Sequence, residues 1–131
     1  MGRMGVGVLL DTSILLAPPR FRVDVFEEAG RVLEAQPEFY VSTRVLEELG
    51  RLREEASPGF SRELEVALAL ARRCRVLVDE SVGPVDDSLI QLASTRGLVL
   101  ATADGELRRR ARRRGVRVLY LRQRRYLELD G

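Results

Sequence analysis

Short runs of Val and Leu recur along this chain, and helical spacing of apolar residues fills the stretches between them. That alternation constrains the fold more than any other feature. The runs fall at residues 6–10, 39–41, 75–78, 98–101 and 116–121. They are nearly continuous in apolar residues, as parallel strands buried on both faces require. Helices are expected over 23–35, 43–56, 61–74, 85–95 and 106–113. Pro37, the Ser57-Pro58-Gly59 step, Gly83-Pro84, Gly97 and Gly115 punctuate the joins. The pattern predicts an α/β fold, a three-layer α/β/α sandwich around a central, mostly parallel five-stranded sheet. Its 131 residues suit one domain, 1–131, with 121–131 as an Arg-rich C-terminal tail.

What the chain lacks removes whole classes of chemistry. It contains no His, Lys, Asn or Trp, and all 22 basic residues are Arg. A Ser-His-Asp triad or Cys-His pair has no base. A P-loop and a Schiff-base enzyme both lack their lysine. With Cys74 as its single cysteine, the chain has neither a disulfide framework nor ligands for structural zinc. No apolar run approaches the ~20 residues that span a bilayer. VGVLL in the opening MGRMGVGVLL is too short for a signal-peptide core, so no membrane partner and a cytoplasmic location are expected. Carboxylates, hydroxyls and Arg remain for chemistry.

Charge is unevenly spread. From Arg96 to Arg125 there are 11 Arg against Asp104 and Glu106, a balance of +9, while the rest of the chain carries −7. Arg108, Arg109, Arg110, Arg112, Arg113 and Arg114 occupy six of seven successive positions. On a helix they point all round the axis and repel one another unless an anion lies near. Nucleic acid is the expected anion, held by these residues and by Arg122, Arg124 and Arg125 of the tail.

The acids fall at one edge of the expected sheet. In open parallel α/β sheets ligands bind beyond the carboxyl ends of the strands. Asp11 follows the first strand, Asp104 follows the fourth, and Asp86 and Asp87 open the helix after the third. Glu47 and Glu48 lie one turn into the helix after the second. Capping alone would explain Asp11 or Asp104; four successive strands leading to acid suggest a site. Helical phase selects within the doublets. Val45, Leu49, Leu52 and Ala56 form one apolar stripe, with Glu47 opposite it and Glu48 on its margin. Asp86 lies nearer the apolar face of its helix than Asp87, which remains a further candidate ligand. Crowded carboxylates raise one another's pKa, and a hard divalent cation resolves the conflict. One or two Mg²⁺ or Mn²⁺ ions on these oxygens would support phosphodiester hydrolysis by lowering the pKa of a bound water. Thr12, Ser13 and Thr102 adjoin the acids and are candidates to orient water or phosphate.

LLDTS around Asp11, VLEEL with Glu48, VDDSLIQLA with Asp86, and ATADGELRRR with Asp104 resemble the motifs of PIN-domain nucleases. In the third, the family's Asp is followed by an aliphatic residue at +3 and a small one at +7, which Leu89 and Ala93 satisfy for Asp86. The resemblance covers nearly the whole chain and is closest to the branch that processes ribosomal RNA. It implies a metal-dependent endoribonuclease leaving 5′-phosphate ends, often a homodimer, acting on an rRNA precursor and meeting a ribosome-assembly protein. Ser13 departs from the Asn of many members, and no N-terminal extension like that of the eukaryotic processing factors is expected. A toxin ribonuclease with an antitoxin partner shares the same fold and site. Two further alternatives are a non-catalytic RNA-binding module and a phosphoacceptor domain; the absent lysine counts against the latter.

Overall fold

A computed structural model describes residues 5–131; residues 1–4 of the opening MGRMGVGVLL segment lie outside it. β1 (Gly7–Leu10) leads through α1 (Thr12–Phe21) and α2 (Val25–Leu33) to β2 (Glu38–Ser42). α3 (Thr43–Glu55) and α4 (Pro58–Ala71) then lead to β3 (Arg75–Leu77). α5 (Val85–Arg96), β4 (Val99–Thr102), α6 (Gly105–Arg113), β5 (Val118–Arg122) and β6 (Tyr126–Asp130) follow.

The sheet runs β3-β2-β1-β4-β5-β6, with five parallel strands and β6 antiparallel to β5. Parallel neighbours need crossover connections, which the helices supply as the outer layers of a three-layer α/β/α sandwich. α4 packs against α1 and α3, while α5 packs against α6. From β1 the chain moves outward to β2 and β3, then returns to place β4 on the other side of β1. The carboxyl ends of β1 and β4 therefore flank the point where strand order reverses, the position at which such sheets open a crevice.

The parallel strands β1 and β4 are buried throughout, as their unbroken apolar sequence requires. Val8, Leu9, Leu100 and Leu119 are fully enclosed, each worth roughly 1.5–3 kcal/mol of transfer free energy. Gly7 has a steric reason: a Cβ there would come within 2.5 Å of Leu98 and 3.0 Å of Tyr40.

Three expectations need correction. The sheet has six strands rather than five, because Tyr126–Asp130 of the expected Arg-rich tail form β6. Leu127 is buried to 1% exposure, and a hairpin turn with Gln123 and Arg124 at φ 53° and 55° returns the chain. Second, the helix expected over 23–35 is Val25–Leu33, and a separate α1 precedes it despite Pro18 and Pro19. Those prolines remove two amide donors; burial of Ile14, Leu15, Leu16 and Ala17 prevails over that loss. Third, β3 is an edge strand with Val76 51% exposed, not a strand buried on both faces. No described helix is long and apolar enough to cross a membrane.

Candidate active site

A pocket of about 260 Å³ opens where β1 and β4 end, lined by Asp11, Glu48, Asp86 and Asp104 together with Thr12, Ser13 and Arg20. Local chemistry places three of the four acids at helix starts. Asp11 caps α1, its Oδ1 accepting the Ile14 N–H at 2.8 Å. Asp104 caps α6, its Oδ1 accepting from the Glu106 and Leu107 amides at 2.8 and 3.3 Å. Asp86 lies in the first turn of α5. Glu48 comes from the second turn of α3, half-buried, whereas Glu47 beside it is exposed.

Asp11 is the most deeply set, at 4% exposure. The Ser13 hydroxyl donates to its carboxylate at 2.8 Å, and the Thr102 hydroxyl donates to Oδ2. Thr102, itself fully buried, accepts the Asp104 N–H at 3.0 Å and lies 3.2 Å from the Ser13 hydroxyl. Ser13 in turn accepts the Ala103 N–H at 2.9 Å. The two hydroxyls thus stitch the end of β1 to the end of β4. Thr12 donates to Glu48 and ties α1 to α3.

Burial pushes the Asp11 carboxyl up to about 6, with the Asp86 charge adding to the rise; the Thr102, Ile14 and Ser13 hydrogen bonds oppose it. Asp86 is also raised, first by burial and then by Asp104, with Glu48 and Asp87 contributing and Arg110 opposing. Burial is thus the first cause at both acids, and neighbouring carboxylates add to it. No group of three or more acids among the described residues is arranged around a common point for a metal ion. Asp11 is turned onto the hydroxyls and Glu48 onto Thr12.

Other expected residues lie elsewhere. Asp87 is exposed and pairs with Arg110 instead of lining the pocket. Asp79, just past β3 and not among the expected residues, accepts the Ser81 N–H at 3.0 Å and organises the following loop. Within the Arg run, Arg108 and Arg112 share Asp130 at 2.8 and 3.2 Å. Arg114 reaches Gln91 at 3.2 Å, and Arg122 pairs with Glu128 at 3.2 Å. α5 and β6 thus supply acids beside part of the run. Arg109, Arg113 and Arg125 are exposed, and the Arg109 guanidinium lies 3.3 Å from the Cβ position of Gly105, beside Asp104. Arg124 lies over the Phe21 ring at 5.2 Å.

Arg20 was not among the expected site residues. It reaches the pocket because Thr12, Leu16 and Arg20 share one face of α1, and Glu63 holds its Nε at 2.9 Å. Its i+8 spacing from Thr12 is the only signal in the sequence, legible only once residues 12–21 are known to be helical.

Residues 8–124 match the family model described as a PIN like domain. The chain is 27% identical over 126 residues to Ribonuclease VapC4 of Methanocaldococcus jannaschii, covering 95% of this chain and 96% of that protein. It is 32% identical over 116 residues to Ribonuclease VapC9 of Archaeoglobus fulgidus, covering 88% and 82%. Among solved structures, the PIN domain endonuclease Utp24 superposes with a TM-score of 0.79 at 22% identity, covering 95% of this chain and 90% of that one.

Proposed function

The chain belongs to the PIN-like domain family, and from that premise we propose that it is an endoribonuclease dependent on Mg²⁺ or Mn²⁺. The observation that carries this reading is the meeting of Asp11, Glu48, Asp86 and Asp104 in one pocket at the reversal of strand order. The ribonuclease names of the two archaeal relatives support it.

The donor set fits a hard divalent cation: four carboxylates, all oxygen, at least two of them raised in pKa partly by neighbouring acids. Asp11, Asp86, Asp104 and Glu48 would hold it, Glu48 by turning away from Thr12. When bound, such an ion lowers the pKa of a water and offsets charge on the cleaved phosphodiester. Thr102 and Ser13 keep the Asp11 carboxylate oriented. Arg20, which lines the pocket, and the exposed Arg109, near Gly105, draw the RNA backbone toward it.

Calorimetric titration with Mn²⁺ and cleavage of single-stranded RNA test this together. The parent chain should bind the ion and cut RNA, and Asp86→Asn should lose both. Metal binding or cleavage that persists unchanged in Asp86→Asn would overturn the assignment. Thr102→Val supplies a finer expectation. It removes a hydroxyl that stabilises ionised Asp11 and strands the Asp104 N–H, so stability should fall by about 1–3 kcal/mol. The acid limb of the pH–activity profile should also move upward, because losing that hydrogen bond raises Asp11 further. An acid limb that stays in place would remove Thr102 from this role.

As for biological setting, we propose the whole chain acts as one cytoplasmic nuclease domain, working as a homodimer either on rRNA precursors or as a toxin held by an antitoxin. Growth arrest on expression, abolished by Asp11→Asn, would identify the toxin. Accumulation of pre-rRNA on depletion would identify the processing enzyme.

A further inference from the structure

A second cleft, of about 230 Å³, shares Asp104 with the acid pocket and runs from there to the β5–β6 hairpin. Gly105, Arg108, Tyr120, Arg122 and Gln123 line it. It is smaller than the ~300–1,000 Å³ of an enclosed small-molecule pocket, a size suited to one planar group of a longer ligand. Its wall is already stacked: the Arg108 guanidinium lies 3.5 Å from the Tyr120 ring centroid. Asp130 holds Arg108 Nε at 2.8 Å. The Tyr120 hydroxyl donates to Glu128, and Arg122 Nη1 approaches both groups at 3.2 Å. The plane of the stack is thus fixed before any ligand arrives.

We propose that this cleft is a nucleobase subsite, in which a base adjoining the scissile phosphate stacks on the Arg108–Tyr120 pair while Gln123 meets its polar edge. Bases of single-stranded RNA stack on aromatic rings and on guanidinium planes, and a side-chain amide carries both the donor and the acceptor that a base edge offers. Arg122 adds charge for the adjoining phosphate. Because the cleft adjoins the acids through Asp104 alone, it serves the nucleotide on one side of the cut and not the other. The inference rests on the ribonuclease reading and adds the substrate register.

Single-stranded RNA carrying 2-aminopurine at successive positions tests it, with the full chain and EDTA present to prevent cleavage. Fluorescence should be quenched at one position in the parent. Tyr120→Ala and Arg108→Ala should lose the quench and weaken binding about 5- to 100-fold, whereas Tyr120→Phe, which keeps the ring, should retain both. Gln123→Ala, at the exposed hairpin tip, should keep the quench but flatten the preference among bases there. Should Tyr120→Ala fail to fold, Arg108→Ala and Gln123→Ala decide the matter. A parent that cuts RNA with Mn²⁺ yet quenches at no position overturns the subsite alone. Folded variants that bind as tightly as the parent do the same. A parent that neither binds nor cuts RNA overturns the ribonuclease reading and the subsite with it. Displacement of RNA by adenosine monophosphate at equal concentration would make the cleft a free-nucleotide site and overturn the proposal.

Discussion

Asp11→Asn should melt several degrees above the parent chain at pH 7, yet cut RNA at least about a hundredfold more slowly. The first effect follows from burial. Asp11 is nearly inaccessible, and its carboxyl is lifted from 3.8 to about 6. A carboxyl raised on folding binds its proton more tightly in the native state. Its burden is therefore fully present at pH 7 and is relieved as pH falls through 6 toward 3.8. At one pKa unit per 1.36 kcal/mol, that burden is at most about 3 kcal/mol. A carboxamide still accepts the Ile14 N–H and donates to the Thr102 and Ser13 hydroxyls, so the helix start survives. The melting gap should narrow by pH 5, where the parent's own carboxyl is protonated. Thermal melts at pH 5 and 7 check this; a variant that melts lower than the parent at pH 7 would refute it. The loss of cleavage follows from the proposed role of Asp11 as a metal ligand: residues supporting such a ligand are themselves worth about 10–100-fold, and a ligand exceeds its supports.

Leu127→Ala should lower stability by about 2–5 kcal/mol, a cost typical of an enclosed leucine. Leu127 pairs with Leu121 across the hairpin and is sealed to 1% exposure. Its N–H donates to Glu28 at 3.0 Å, a backbone bond that alanine retains. The loss is therefore one of packed volume, read as a lower denaturant midpoint at unchanged slope. A change under about 0.5 kcal/mol, the range of ordinary surface positions, would mean that β6 is an appendage after all.

β6 and α1 are where sequence reasoning fell short, for different reasons. In β6, Tyr126, Leu127 and Leu129 give too short an apolar pattern to stand out after Arg122-Gln123-Arg124-Arg125. The turn that makes the hairpin puts Gln123 and Arg124 in the left-handed region without the Asn-Gly pair that signals it. In α1, Pro18-Pro19 reads as a break, and only tertiary burial of the preceding four residues overrides it. The strands β1 and β4 and the helices α3, α5 and α6 were legible, because continuous apolar runs and 3.6-residue spacing survive translation into structure. At the pocket, helical phase separates half-buried Glu48 and Asp86 from exposed Glu47 and Asp87. It gives no hint of Arg20, whose position depends on α1. Nor does it foresee that Asp87 and Asp130 answer the charge of the Arg run, since those pairs join segments distant in the chain.

Three of the pocket acids sit at the amino ends of helices α1, α5 and α6. Each such end carries about half a positive charge. A lone cation entering the pocket is opposed by these ends even as the carboxylates attract it, whereas a phosphate is welcomed by them. On the proposed metal-dependent reading, ion and polyanion neutralise different parts of one field, and each should arrive more readily where the other already sits. Such coupling is symmetrical by thermodynamic necessity: whatever factor RNA adds to retention of the ion, the ion returns to retention of RNA.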